Sequence, residues 1–178
     1  RVRSSAASDV YKRQYIRSIM KASDGSIWSG GYYNLKQINF QTKGIRLYPD
    51  LNGITDIKEK DEKHMWIGTA TGLNLLNIET GKYQYIAMPI ESFYINALYQ
   101  DKDGLLYIGT SNSGLLIYNH EKKSFEHFHK DNCALISNNI YTILSDGDKN
   151  ILLSTENSLT SYYPTAKIFH NWTKEQGL

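Results

Sequence analysis

A unit of about forty residues recurs four times in this 178-residue chain. The copies begin IRSIMKASDGSIWSGG at Ile16, ITDIKEKDEKHMWIGT at Ile54, INALYQDKDGLLYIGT at Ile95 and IYTILSDGDKNILLST at Ile140. An anchor position holds Trp28, Trp66, Tyr107 and Leu152, at spacings of 38, 41 and 45 residues. Two residues on stand Gly30, Gly68, Gly109 and Ser154, and a few later Leu35, Leu73, Leu115 and Leu159. Such self-similarity marks architectures in which one small unit is covered by the next.

Each copy reads as four short strands. Alternating runs such as Ile95–Tyr99 have the period of a strand, and an Asp/Gly turn such as Asp103-Gly104 follows. The second strand carries the anchor (Met65–Thr69), the third follows a polar link (Gly114–Tyr118), and fourth strands are expected at 45–48, 83–86, 125–128 and 168–172. Fourteen Tyr and three Trp against three Pro suit strands better than helices. Four strands per unit is the arithmetic of a propeller blade. The expectation is an all-β, β-propeller fragment of about four four-stranded antiparallel blades (15–50, 51–90, 91–131, 132–175) with the ring not closed. An isolated sheet leaves both faces wet, so the large anchors are read as packing between blades and the small residue as room for the neighbour.

Residues 1–14 fall outside the repeat. Ser4–Gln14 reads SSAASDVYKRQ, an in-frame translation of a common transposase sequencing adaptor, with a natural polar leader as the alternative. We therefore expect an unstructured artefact there, with the true protein beginning upstream of Tyr15. A net charge of +2 without a basic block argues against nucleic-acid binding, and a single cysteine, Cys133, excludes an intramolecular disulfide.

No nucleophile–base or phosphate-loop pattern is present, so no catalytic residue, metal or cofactor is expected. His127 and His129, two apart on a strand, could form half a metal site but lack a third ligand of matching pattern. Asp24, Asp103, Asp146 and Asp148 read as turn residues, and Cys133 as an idle thiol. Binding is expected on the rim formed by the second-to-third and fourth-to-next-first connections. There Tyr32, Tyr33 and Asn34 replace the small residues of the second copy, and Phe93 and Tyr94 precede the third. Aromatic rings stack on the C–H faces of sugars, whereas the bland alternative has these rings covering a neighbouring blade. The link 130–139 could also reach across the mouth.

Trp66-Ile67-Gly68-Thr69 with Gly72-Leu73-Asn74, and Tyr107-Ile108-Gly109-Thr110 with Gly114-Leu115, resemble the two-component regulator propeller repeat. The first copy departs at Ser29-Gly30-Gly31 and the fourth at Leu152-Leu153-Ser154-Thr155. The resemblance spans residues 15–178. It implies the periplasmic sensor region of a Bacteroidetes hybrid two-component histidine kinase, anchored in the inner membrane. It further implies an oligosaccharide ligand, further blades and downstream domains in the parent chain, a homodimer, and control of polysaccharide-use genes. The alternatives are a propeller enzyme of lyase or lactonase type, which needs convergent His, Glu or metal ligands, and a protein-interaction scaffold.

Overall fold

The computed structural model describes residues 15–91 and 94–177. The adaptor reading of residues 1–14 and the candidate Phe93 therefore lie outside the described residues. The chain divides between Tyr85 and Ile86 into two compact units. The first contains β1 (Ile16–Lys21), β2 (Ile27–Gly31), β3 (Leu35–Asn39) and β4 (Gly44–Tyr48), then β5 (Ile54–Asp61), β6 (His64–Thr69), β7 (Gly72–Asn77) and β8 (Tyr83–Ile86). In the second unit lie β9 (Ile95–Gln100), β10 (Leu105–Thr110), β11 (Leu115–Asn119) and β12 (Ser124–Phe128). It ends with β13 (Ile140–Ser145), β14 (Ile151–Thr155), β15 (Leu159–Tyr163), β16 (Ile168–Trp172) and a single 3₁₀ turn over Lys174–Gln176. Four four-stranded sheets result, each with its strands in chain order, as expected for four blades.

The regular alternation expected of the first strands is broken at the same place in all four blades. Register shifts leave Arg17, Thr55, Asn96 and Tyr141 as the extra residue of a bulge. A strand with period two would send residues i and i+3 to opposite faces. The bulge brings them to one face, which explains the spacing Ile54-x-x-Ile57 and Ile140-x-x-Ile143.

In both units that paired face packs on the glycine two residues after an anchor. A Cβ placed on Gly30 would stand 2.5 Å from Ile54 Cγ2 and 3.2 Å from Ile57 Cδ1. On Gly109 it would stand 2.7 Å from Ile140 Cγ2 and 3.3 Å from Ile143 Cδ1. The expected small-residue role is thus met twice, once in each unit. Around the first joint, Trp28, Leu35, Tyr48, Ile54, Ile57 and Ile67 form one buried core, with the Trp28 and Tyr48 rings stacked 5.4 Å apart. Around the second, Tyr107, Leu115, Ile140, Leu153, Tyr162 and Phe169 form the other. Trp66 is also buried, at 1% exposure.

The fourth blade follows the same alternation. Ile151 and Leu153 face the second core as Met65 and Ile67 face the first, and this turns the anchor Leu152 and Ser154 to the other side, with Leu152 paired with Leu144 across the strands.

One aspartate fixes each first turn by accepting backbone N–H bonds. Asp24 takes Ser26, Asp61 takes Lys63, Asp101 takes Asp103 and Leu105, and Asp146 takes Asp148 and Asn150. The turn reading of Asp24 and Asp146 fits these bonds. At the third turn the accepting carboxylate is Asp101, while Asp103 pairs with Lys149.

Candidate functional site

The loop after the second strand of each blade is where binding was expected. In three blades a threonine hydroxyl closes it: Thr69 donates to Gly72 O at 2.8 Å, Thr110 to Gly114 O at 2.8 Å and Thr155 to Ser158 O at 3.1 Å. Blade one has Gly31 at this position, where a Cβ would fall 1.7 Å from Tyr15 O. No threonine fits there. Its loop is held by backbone instead: Tyr32 N–H donates to Tyr15 O, and Gly53 N–H to Tyr32 O.

With the main chain tied, the two tyrosine side chains are presented outward. Tyr32 is 62% and Tyr33 40% exposed, and their rings meet edge to face at 5.0 Å. An exposed aromatic pair of fixed geometry offers an apolar face bordered by two phenol hydroxyls. Asn34 has a second explanation. It takes φ +57° where Gly72 and Gly114 stand in the next two blades, and asparagine tolerates that left-handed conformation. Its N–H donates to Asn52 Oδ1 at 3.1 Å.

In the second unit, Tyr94 is half-buried and its carbonyl accepts from Ser111 N–H, the role Gly53 O plays for Ala70. Beside it on the chain, Glu91 lines a shallow open depression of about 370 Å³ with Asn112, His127, His129 and Asn138. The sequence pattern pointed to the two histidines, but not to their meeting Glu91, Asn112 and Asn138 here. The histidine rings lie 4.9 Å apart on one face, as the strand spacing required. His127 Nε2–H donates to Ser113 O at 2.6 Å, and His129 Nδ1 lies 3.4 Å from Asp131 Oδ2. Among the described residues no three His, Cys, Asp or Glu side chains converge as metal ligands.

The link 130–139 is anchored to its own unit. Leu135 is buried in the core with Cys133 packed against it, and Lys130 N–H donates to Asn138 Oδ1. Burial pushes the Cys133 thiol up, above its ordinary range, and its Sγ lies 3.3 Å from His129 O. Such a thiol is a poor nucleophile. Leu135 ties the link to the second core by removing its apolar surface from water.

The family model for the two-component regulator propeller matches residues 90–112, the first two strands of blade three and their flanking loops. A protein named histidine kinase P4, from Formosa agariphila, is 25% identical across 99% of this chain, which spans only 14% of that protein. A solved structure assigned as the extracellular domain of a hybrid two-component system from Bacteroides thetaiotaomicron matches with TM-score 0.76 and 18% identity. That match takes in 89% of this chain and 24% of the other. A catalytically inactive virginiamycin B lyase from Staphylococcus aureus, solved with quinupristin, matches with TM-score 0.74 and 12% identity over 89% of this chain and 55% of its own. At such identities the structural likeness shows the fold alone. The family model thus matches one repeat, in blade three, and the chain as a whole shares the β-propeller fold of these domains.

Proposed function

We propose that this section belongs to the extracytoplasmic, periplasmic sensor region of a hybrid two-component histidine kinase that responds to oligosaccharides and controls polysaccharide-use genes. The observation that carries the ligand class is the Tyr32–Tyr33 pair, exposed on a loop whose backbone is already satisfied. The matched repeat, and a further structural relative described as an auxiliary nutrient binding protein (TM-score 0.69, 13% identity), support the sensor reading. Sensing in this reading is a ligand-driven shift between two states of the parent, which requires different affinity for each. The section itself carries no turnover; further blades, the downstream domains and a second protomer complete the sensor.

Isothermal titration calorimetry of the chain, alone and within the longer protein that carries it, tests this against a panel of oligosaccharides. Binding should weaken at least tenfold, about 1.4 kcal/mol, in Tyr32→Ala and Tyr33→Ala. Unchanged affinity in both variants removes the pair from the site. Conversion of a sugar in the same cell would overturn the non-catalytic reading.

A further inference from the structure

Aligning the blades residue by residue exposes a difference on the opposite, Asp-turn side of the sheets. Position 23 in blade one corresponds to Lys102 in blade three, and Glu59 in blade two to Ser145 in blade four. In the first unit the Glu59 carboxylate accepts from both Ser23 N–H (2.8 Å) and the Ser23 hydroxyl, strapping the two turns together. In the second unit Ser145 is too short to make that strap, and its hydroxyl accepts from Gly147 N–H instead. A cleft of about 600 Å³ opens there, with both Lys102 and Ser145 in its lining.

We propose that this cleft is a second ligand site, distinct from the tyrosine rim, and that it takes a neutral, hydroxyl-rich ligand of one or two rings. Its volume lies within the range of roughly 300–1,000 Å³ found for small-molecule sites. Its apolar lining includes the half-buried Tyr99 and Leu105 with the buried Tyr107 and Ile151, and the Tyr99 and Tyr107 ring centroids are 6.0 Å apart. Tyr107 is held in place by its hydroxyl donating to Asp101 Oδ2 at 3.2 Å. Asp103 is paired with Lys149 at 3.2 Å, and Asp101 accepts from Tyr107 and two amides while keeping its negative charge. That leaves Lys102 and Asp148 at the cleft, one of each sign. A lining with one accessible aromatic side chain, hydrogen-bonding groups and a single net negative charge, three Asp against two Lys, suits a neutral polyol better than an anion.

The test installs the first unit's strap in the second. Saturation-transfer NMR on the full chain would use maltose, cellobiose, lactose and xylobiose at millimolar concentration as probes. At least one should receive saturation from the native chain, lose most of it in Lys102→Ser/Ser145→Glu, and keep it in Tyr32→Ala. The melting temperature of the double variant should equal or exceed that of the native chain, showing that loss of signal is not unfolding. Absence of transfer to all four probes overturns the proposal. So does transfer that survives the strap, and if that transfer vanishes in Tyr32→Ala it belongs to the rim site instead.

Discussion

The two units solve one packing problem with different chemistry. In the first, Trp28 fills the joint and its indole N–H donates to Ser26 Oγ at 3.1 Å. In the second, the smaller Tyr107 stands at that position, Leu105 replaces Ser26, and the polar partner moves to Asp101, the counterpart of Ala22. Ring and partner change together because a buried donor without an acceptor costs about 1–3 kcal/mol. The outer strands show the same exchange. Arg46 reaches from β4 to the carbonyls of Ile78 and Glu79, whereas Glu126, its counterpart on β12, is paired with Lys167. The geometry of the joint is conserved between the units while its polar fastenings are free to vary, and one variation opens a cleft.

The largest effect expected from breaking this comparison is truncation of the rings. Trp28→Ala and Tyr107→Ala should each cost about 3–5 kcal/mol in denaturant unfolding, the indole at the upper end. A cost below about 1 kcal/mol at Trp28 would contradict its 0% exposure. Exchanging the fastenings is gentler. Trp28→Tyr places a phenol where no Asp101 counterpart stands, at about 1–3 kcal/mol, and adding Ala22→Asp should recover part of that loss. If the second substitution worsens the first, the ring–partner pairing is not the rule proposed here. Cutting the surface pair with Lys167→Ala should cost no more than about 1 kcal/mol and less at high salt.

The smallest effect is a pH dependence at Asp61 in the first unit. Burial works to raise the Asp61 pKa, but bonds from Lys60, the Lys63 amide and His64 outweigh it and bring the carboxyl down to about 2. A depressed carboxyl contributes stability above its unfolded value near 3.8, and that contribution is lost as pH falls toward 2. The group is mostly solvent-exposed, so the contribution is small. Asp61→Asn should lower the melting temperature slightly at pH 6 and not at all near pH 2. An equal effect at both values would show that the charge is immaterial.

Much of this architecture was legible in the sequence because the repeat places each feature four times. The anchor, the small residue two on and the leucine seven or eight on recur in every copy, and a feature repeated in one place has one role to explain. The bulge was less legible, although Ile54-x-x-Ile57 carried its signal: two large apolar residues three apart cannot share a face of a regular strand. The cleft was illegible because it arises from a missing contact. No residue announces that Ser145 fails to reach across, and only the matching Glu59 in the other unit reveals it. Asn34 shows the converse, a residue read for binding whose type the backbone conformation already explains.

The central claim is that the glycine after the anchor exists to admit the bulged isoleucine of the next blade. A double-mutant cycle on Gly30 and Ile54 tests it directly. Gly30 has no left-handed backbone to protect, so where space allows, Gly30→Ala should be neutral or stabilising by up to about 1 kcal/mol. In the native background the added methyl meets Ile54 Cγ2 at 2.5 Å, and unfolding should show a cost of about 1–3 kcal/mol. In the Ile54→Ala background the same substitution should cost clearly less, since the 2.5 Å contact is gone and only the Cβ of residue 54, at 2.9 Å, remains close. An equal cost in both backgrounds would contradict the account.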